Sequence, residues 1–425
     1  MDIRGYPMRL RAHQERALDA MMASTHGRII IPTGGGKTLI AIKDVERRLL
    51  TAINPKTVVV VAPRILLANQ LCEEFYSALN GTVDVAVMHV HSGETSFNSS
   101  TKPNDIACHH KVCKTAGIHE IIFTTYNSLN RIVEAEIDVD YAYFDEAHNS
   151  VRRDFFPAVA DVSGNAERAY FFTATPRYHR SPFANGMNNN HVYGEELISV
   201  PAPELIASGS ILPPTITAHK VDFARQKSAA AADNDRRVLL DIVRDLDDEQ
   251  AQKILVAAPN TKVLWRLLTK TDVCHHFSQL GYDVLHITAK HGAYVNHRKV
   301  GREEFFNTLT AWGLDPNRKF IIFHYSILAE GINCPGLTHT IMLRCLPVIE
   351  MAQTIGRVIR LDKDDAADIA SGKIPAGKCE FYRKKTGFVT VPVFSNYGQR
   401  TEQRLQDVID CIFVKGIAAT ETRYV

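Results

Sequence analysis

Short runs of β-branched and aromatic residues recur along the chain, separated by longer stretches whose apolar positions repeat at helical spacing. Strands are expected over 28–31, 57–62, 84–89, 120–124, 141–144 and 169–173. After a break the pattern resumes over 253–257, 283–287, 319–324, 339–343 and 389–394. A run such as Thr57-Val-Val-Val-Val-Ala62 shows no polar alternation. Both faces of such a strand are buried, which suits a parallel sheet covered by helices. The helical stretches between, including 14–22, 37–50 and 66–78, are long enough for the crossovers that parallel strands need. Two series of this kind predict an α/β chain of two domains, each a parallel β-sheet flanked by helices.

The break covers about 176 to 250. The Asn/Gly-rich stretch 183–190 reads as a flexible loop. Ser210-Ile-Leu-Pro-Pro214 reads as a rigid connector, because paired prolines donate no backbone hydrogen bond. The boundary is therefore placed near 211, giving domains 1–210 and 211–425. The polar stretch 225–235 is expected to be a loop leading into a helix.

Composition narrows the function classes. Hydrophobic residues make up 45% and charged residues 23% of the 425, ordinary values for a globular protein. Lys and Arg number 49 against 47 Asp and Glu, a net charge of +2, which excludes a strongly cationic tail and leaves a local basic groove open. Apolar runs fall short of the roughly 18 residues of a membrane span. The start, MDIRGYPMRL, lacks an apolar signal core, so a cytoplasmic protein without membrane contact is expected. Eight scattered cysteines form no Cys-x-x-Cys pair, as suits reduced thiols.

The densest chemical signal is Arg28-Ile-Ile-Ile-Pro-Thr-Gly-Gly-Gly-Lys-Thr38. A buried strand runs into a glycine-rich turn and then into an amphipathic helix. Thr33, Gly34, Gly35 and Gly36 would let backbone N–H groups curl around a phosphate, and the helix N-terminus adds its unpaired amides. Lys37 would reach the β- and γ-phosphates, and the Thr38 hydroxyl would ligate Mg²⁺. Ile31 stands where the full phosphate-loop formula has glycine. The complement is Phe144-Asp-Glu-Ala-His148, where an apolar strand ends in two carboxylates. Asp145 suits the metal, and Glu146 suits a general base or water-orienting group.

With these residues in hand the chain resembles a superfamily 2 helicase of the DExH (DEAH-box) kind. The resemblance implies two tandem RecA-like domains, ATP and Mg²⁺ as cofactors, and nucleic acid as partner. Leu10-Arg-Ala-His-Gln14 is similar to the element whose glutamine reads adenine, here Gln14. Ala62-Pro-Arg64 with Gln70, and Thr124-Thr-Tyr126, resemble motifs that touch the nucleic-acid backbone. Thr173-Ala-Thr-Pro176 is similar to the motif that couples hydrolysis to strand movement. In the second half, Ser326 with Glu330-Gly-Ile-Asn333 looks like the fifth motif and would place Gly331 and Asn333 at the nucleotide; most relatives carry Asp where Asn333 stands. Gln353-Thr-Ile-Gly-Arg-Val-Ile-Arg360 matches the "Q-x-x-G-R-x-x-R" signature, whose arginines serve the γ-phosphate in the family. The spacing i, i+4, i+7 is expected to set Gln353, Arg357 and Arg360 on one helix face. The run 387–393 resembles the closing strand of restriction-type and viral or phage relatives.

The resemblance thus implies an ATP-hydrolysing motor that moves along or unwinds nucleic acid without reading sequence. Arg64, Thr124, Thr125, Thr173, Thr175 and Ser326 are the expected contacts, a cation with small hydroxyl donors. DNA is favoured over RNA on the spelling Thr-Ala-Thr-Pro-Arg177 and the compact second half, with roles in repair or recombination. A translocase that does not separate strands, an RNA helicase and a non-catalytic clamp are the rival readings. His148 is expected to couple the two sites. His89, His91, Cys108, His109, His110, Cys113 and His119 invite a zinc reading, but no settled ligand spacing links them, and a polar surface insertion is favoured. Arg383-Lys-Lys385 reads as a solvated turn. Since the motifs use nearly the whole chain, substrate choice is expected to come from insertions such as 92–117 or from a protein partner.

Overall fold

The computed structural model describes residues 10–181, 183–226, 230–246, 251–288, 290–325, 334–343, 346 and 348–395, with 422–424 as backbone alone. The chain divides into two compact units, Met1–Val200 and Pro201–Val425.

The first unit runs α1 (Ala12–Ala23), β1 (His26–Ile30), α2 (Lys37–Thr51), β2 (Thr57–Ala62), α3 (Ile65–Leu79), β3 (Val85–Val90), β4 (Asn98–Ser99) and α4 (Pro103–Ala116). It continues through β5 (His119–Thr125), α5 (Asn130–Glu134), β6 (Tyr141–Phe144), α6 (Phe156–Asn165), β7 (Arg168–Thr173), α7 (Asn190–Tyr193) and β8 (Glu195–Ser199). The strands form one sheet in the order β4-β3-β5-β2-β6-β7-β1-β8, every pair parallel. All six residues of β2 are buried, as expected of a central strand with helices on both faces. On one face, side chains such as Val59, Val61, Ile122, Phe144 and Phe171 gather into a core with Ile132, Val159 and Tyr193 from the helices.

Ser92–Gly117 is not a plain polar insertion. It holds β4 and the helix α4, whose Ile106 and Cys113 are buried. Among the described residues, no helix is long and apolar enough to cross a membrane.

The second unit begins with α8 (Ala202–Ala207), β9 (Pro214–Val221), α9 (Ala230–Arg244), β10 (Lys253–Ala257), α10 (Thr261–Lys270), α11 (Val273–Gln279) and β11 (Asp283–Thr288). Then come β12 (Gly292–Val295), β13 (Arg298–Val300), α12 (Arg302–Leu314), β14 (Phe320–His324), β15 (His339–Met342), α13 (Val348–Val358), α14 (Lys363–Ala370), β16 (Gly387–Phe394) and β17 (Thr422–Tyr424). Its sheet order is β13-β12-β11-β14-β10-β15-β16-β9-β17, parallel except for the antiparallel β12 and β13. Pro214 is not connector but the first residue of β9, a strand position that tolerates a missing N–H. The division falls at 201, ahead of the expected 211, because α8 and its following turn pack within the second unit. Leu212 donates its N–H to the Ile359 carbonyl at 2.7 Å. The stretch 225–235 is half helix, since α9 already starts at Ala230 and buries Ala231, Ala232 and Asp235.

Candidate active site

Strands β6, β7 and β1 lie side by side, so the segments leaving their carboxyl ends meet at one edge of the first unit's sheet. In open α/β sheets that edge is where ligands bind. The glycine-rich turn leaves β1 there. Ile31 donates its N–H to the Thr173 carbonyl at 3.0 Å, and Gly35 closes the turn onto the Pro32 carbonyl at 3.0 Å. Gly34 and Gly36 have φ of +90° and +81°, the left-handed region that side chains disfavour. A Cβ on Gly36 would lie 2.2 Å from Gln14 Nε2. Ile31 is not among the positive-φ residues, so a side chain is tolerated where the loop formula has glycine. The helix α2 starts directly at Lys37, with no side chain capping it and no acidic residue in its first turn. Its leading amides are thus left for an anion. Lys37 is buried and donates to the Ile31 carbonyl at 3.1 Å, which folds its ammonium back over the turn.

Asp145 follows the last residue of β6. Its N–H donates to the Val61 carbonyl at 2.8 Å, and its own carbonyl accepts from the buried Tyr126 hydroxyl at 2.8 Å. Burial first, then the adjacent Glu146 charge, pushes the Asp145 carboxyl upward against the pull of Lys37. Glu146 sits at φ +45°, a conformation costly for a side-chain-bearing residue and typical of functional sites. Lys37, Thr38 and Asp145 line one small cavity with Ala41, Val60 and Phe172. A hydroxyl and a carboxylate are hard oxygen donors that suit Mg²⁺, and a carboxyl pushed upward is one short of positive charge.

An ion-pair contact followed by two hydrogen bonds runs from this carboxylate pair to β7. His148 Nδ1 lies 3.5 Å from Glu146 Oε2 and 3.0 Å from Thr173 Oγ1. The same Thr173 oxygen accepts the Thr175 backbone N–H at 3.1 Å. Asn149 Nδ2 is 3.2 Å from His148 Nε2 and donates to the Glu146 carbonyl at 3.1 Å.

The remaining expected residues divide by exposure. Gln14 is buried, takes the Arg11 N–H on Oε1 and reaches the Gly35 carbonyl at 3.4 Å, so its amide braces the glycine turn. His13 does the same at 2.8 Å. Thr33, Thr38 and Arg64 are half-buried and Gly34 is exposed. Thr124 and Thr173 are fully buried. The Thr124 hydroxyl donates to the Val90 carbonyl and that of Thr173 serves His148, so neither is presented to solvent. Thr125 is buried with its hydroxyl on Ser128. Thr175 Oγ1 is buried without a partner among the described residues, a polar group of the kind that marks function.

In the second unit, Gln353 and Arg357 lie on α13 and are buried, and the Gln353 amide Nε2 has no partner among the described residues. Arg360 departs from the expected helix face, since α13 ends at Val358. The backbone there turns to other partners: the Ile359 carbonyl takes Leu212, and the Arg360 carbonyl takes Lys384 Nζ at 2.8 Å. Lys384 is not in a solvated turn. It is buried, also donates to the Leu337 carbonyl at 2.6 Å, and burial pushes its ammonium down to about 7. Ser326, Gly331 and Asn333 lie outside the described residues.

Sequence reading missed the anchor behind α2. Asp44 and Tyr143 are fully buried side chains joined at 2.7 Å, and Arg48 binds Asp44 at 2.8 Å and the Tyr170 hydroxyl at 3.1 Å. The only signal was an Asp–Arg pair four residues apart on an otherwise apolar helix stripe.

Residues 7–178 match the family model described as "Type III restriction enzyme, res subunit", a stretch that holds the glycine turn, Asp145, Glu146 and Thr173. No curated protein sequence matches the chain. Among solved structures, the ATP-dependent Type ISP restriction-modification enzyme LlaBIII bound to DNA superposes with a TM-score of 0.68 at 15% identity, over 96% of this chain and 30% of its own. A fragment described as an HsdR subunit of a type I restriction enzyme from Vibrio vulnificus YJ016 gives 0.62 at 15% identity, over 97% and 67%. Mss116p bound to ssRNA and AMP-PNP gives 0.58 at 14% identity, over 98% and 77%. At these identities the likeness is one of fold. The chain spans under a third of the length of the Type ISP enzyme.

Proposed function

From the premise of a superfamily 2 helicase-like chain related to restriction-type enzymes, we propose an ATP-hydrolysing motor that acts on nucleic acid, with DNA as its track. The observation that carries this reading is the cavity shared by Lys37, Thr38 and Asp145 at the carboxyl ends of β1 and β6. ATP is the substrate. The unpaired amides at the start of α2 and the Lys37 ammonium would bind its β- and γ-phosphates. Thr38 and Asp145 would hold Mg²⁺, which supplies positive charge to the phosphate oxygens when bound. Glu146 is the group to orient the attacking water and take its proton. Its restricted backbone and the His148 contact at 3.5 Å hold it in place.

The Glu146–His148–Thr173–Thr175 chain offers a route by which the state of the nucleotide biases the backbone after β7. Gln353, Arg357 and Arg360 are the second unit's candidates for phosphate contact, and the orphaned Gln353 amide supports that assignment. Arg64, Thr125 and Thr175 remain candidates for the nucleic-acid backbone, whereas Thr124 and Thr173 act through packing. The match of residues 7–178 to a restriction-enzyme subunit supports DNA, since restriction acts on DNA.

The test is ATP turnover with duplex, single-stranded and branched DNA and with RNA. Stimulation by DNA well above that by RNA is expected. Equal or greater stimulation by RNA overturns the choice of track, and duplex stimulation without strand separation identifies a translocase.

A further inference from the structure

Five histidines and two cysteines crowd the stretch from His89 to His119, and the fold sorts them into separate groups. His89 and His91 pair at 2.9 Å, and His91 also meets Asn69. His119 Nδ1 accepts the Lys56 N–H at 2.9 Å, and Cys108 is exposed. The other three turn toward Glu120, which the sequence reading did not include. Glu120 is the second residue of β5 and only 1% exposed. His109 Nδ1 lies 2.7 Å from its Oε1 and His110 Nδ1 lies 2.7 Å from its Oε2. Cys113, one helical turn beyond His109 on the same face of α4, places Sγ 3.7 Å from His109 Nδ1. Ligand atoms of His109, Cys113 and Glu120 all fall within 4.8 Å of one another.

We propose that His109, Cys113 and Glu120 form a structural site for a transition-metal dication, Zn²⁺ by the chemistry of its ligands, with His110 fixing Glu120 or completing the coordination. One nitrogen, one sulfur and one oxygen donor suit zinc and do not suit Mg²⁺ or Ca²⁺. Tetrahedral zinc with bonds of about 2.0 to 2.3 Å sets nitrogen and sulfur ligands roughly 3.5 Å apart, and nitrogen and oxygen roughly 3.4 Å apart. The observed 3.7 Å between His109 and Cys113 fits. The 2.7 Å contact of His109 with Glu120 is a hydrogen bond that opens by roughly 0.7 Å once the metal replaces its proton. The imidazole remains neutral with its proton on Nε2, and the thiol proton goes to solvent.

Burial first, then the Glu120 charge, pushes the bare Cys113 thiol up to about 11, so it is no reactive thiolate on its own. A dication beside it reverses both effects. Glu120 is at the amino end of β5, and the glycine turn is at the carboxyl edge of the sheet. The metal therefore fastens α4 to the sheet and takes no part in hydrolysis.

The test uses the full chain, stripped with a chelator and titrated with Zn²⁺ against a chromophoric competitor, and with Co²⁺ by absorbance. One equivalent of saturable binding is expected, with a thiolate-to-cobalt charge-transfer band in the near ultraviolet. Cys113→Ser should abolish the band and weaken Zn²⁺ by at least about 100-fold, while keeping the melting temperature of the stripped wild type. Cys108→Ser should bind as wild type does. Absence of saturable binding overturns the proposal. So does binding that survives both Cys113→Ser and Glu120→Gln, or binding that Cys108→Ser abolishes.

Discussion

Glu146 owes its position to its own backbone and to two neighbours. Its backbone is held left-handed at φ +45°, Asn149 takes its carbonyl, and His148 stands between its carboxylate and Thr173. Glu146→Gln preserves this shape but removes the carboxylate proposed to take the water's proton. ATP binding should stay within about 3-fold of wild type, and turnover should fall by about 10² or more, the range of a general base. Turnover at the wild-type rate assigns the water-orienting role elsewhere. Lys384 shows a different residue-scale effect. Its ammonium is pushed down to about 7 in the folded chain, against an ordinary value near 10.5 in the unfolded one. Between those values the unfolded state binds the extra proton, so stability rises with pH across that window. Denaturant unfolding at pH 7 and pH 9 should show this rise in wild type, and Lys384→Met should flatten it; an unchanged slope in the variant contradicts the assignment.

At the scale of elements, the glycine turn works because α2 behind it is anchored. Asp44 and Arg48 project inward to Tyr143 on β6 and Tyr170 on β7, the two strands that carry the acidic pair and Thr173. Asp44→Ala leaves Arg48 buried without its charge partner and should cost about 3 kcal/mol, the scale of breaking a buried ion pair. Equilibrium unfolding measures it, and a loss under about 1 kcal/mol would mean that Arg48 finds solvent. Elements of this kind were only partly legible beforehand. Uninterrupted apolar strands such as Thr57–Ala62, Tyr141–Phe144 and Lys253–Ala257 fall where their sequence pattern sets them, because both faces are buried. The strand β8 was missed, as its residues are largely exposed or half-buried and its apolar signal is weak. The strand β9 was missed because its opening proline reads as a breaker. The end of α13 ahead of Arg360 depends on contacts from Leu212 and Lys384, distant in sequence and invisible to local spacing.

At the scale of the whole molecule, two mostly parallel sheets with their helices organise the described chain, and the motifs that follow β1, β2, β5, β6 and β7 lie at the carboxyl edge of the first sheet. The convergence of Lys37, Thr38 and Asp145 on one cavity was legible because their segments follow the apolar strands β1 and β6. Residues acting through burial were not: Thr124 and Thr173 read as solvent-facing donors, yet their hydroxyls are spent inside the fold. The net charge of +2 means that any nucleic-acid track is a local groove, so binding should weaken steeply with salt.

Lys37, Thr38, Asp145 and Glu146 are the proposed ATP-hydrolysing centre that nucleic acid stimulates. The most direct measurement is steady-state ATP turnover, with and without DNA, in wild type and Lys37→Ala of matched melting temperature. Wild type should show DNA-stimulated turnover, and Lys37→Ala should show none above background. Normal turnover in the variant, or wild-type turnover indifferent to any nucleic acid, contradicts this assignment.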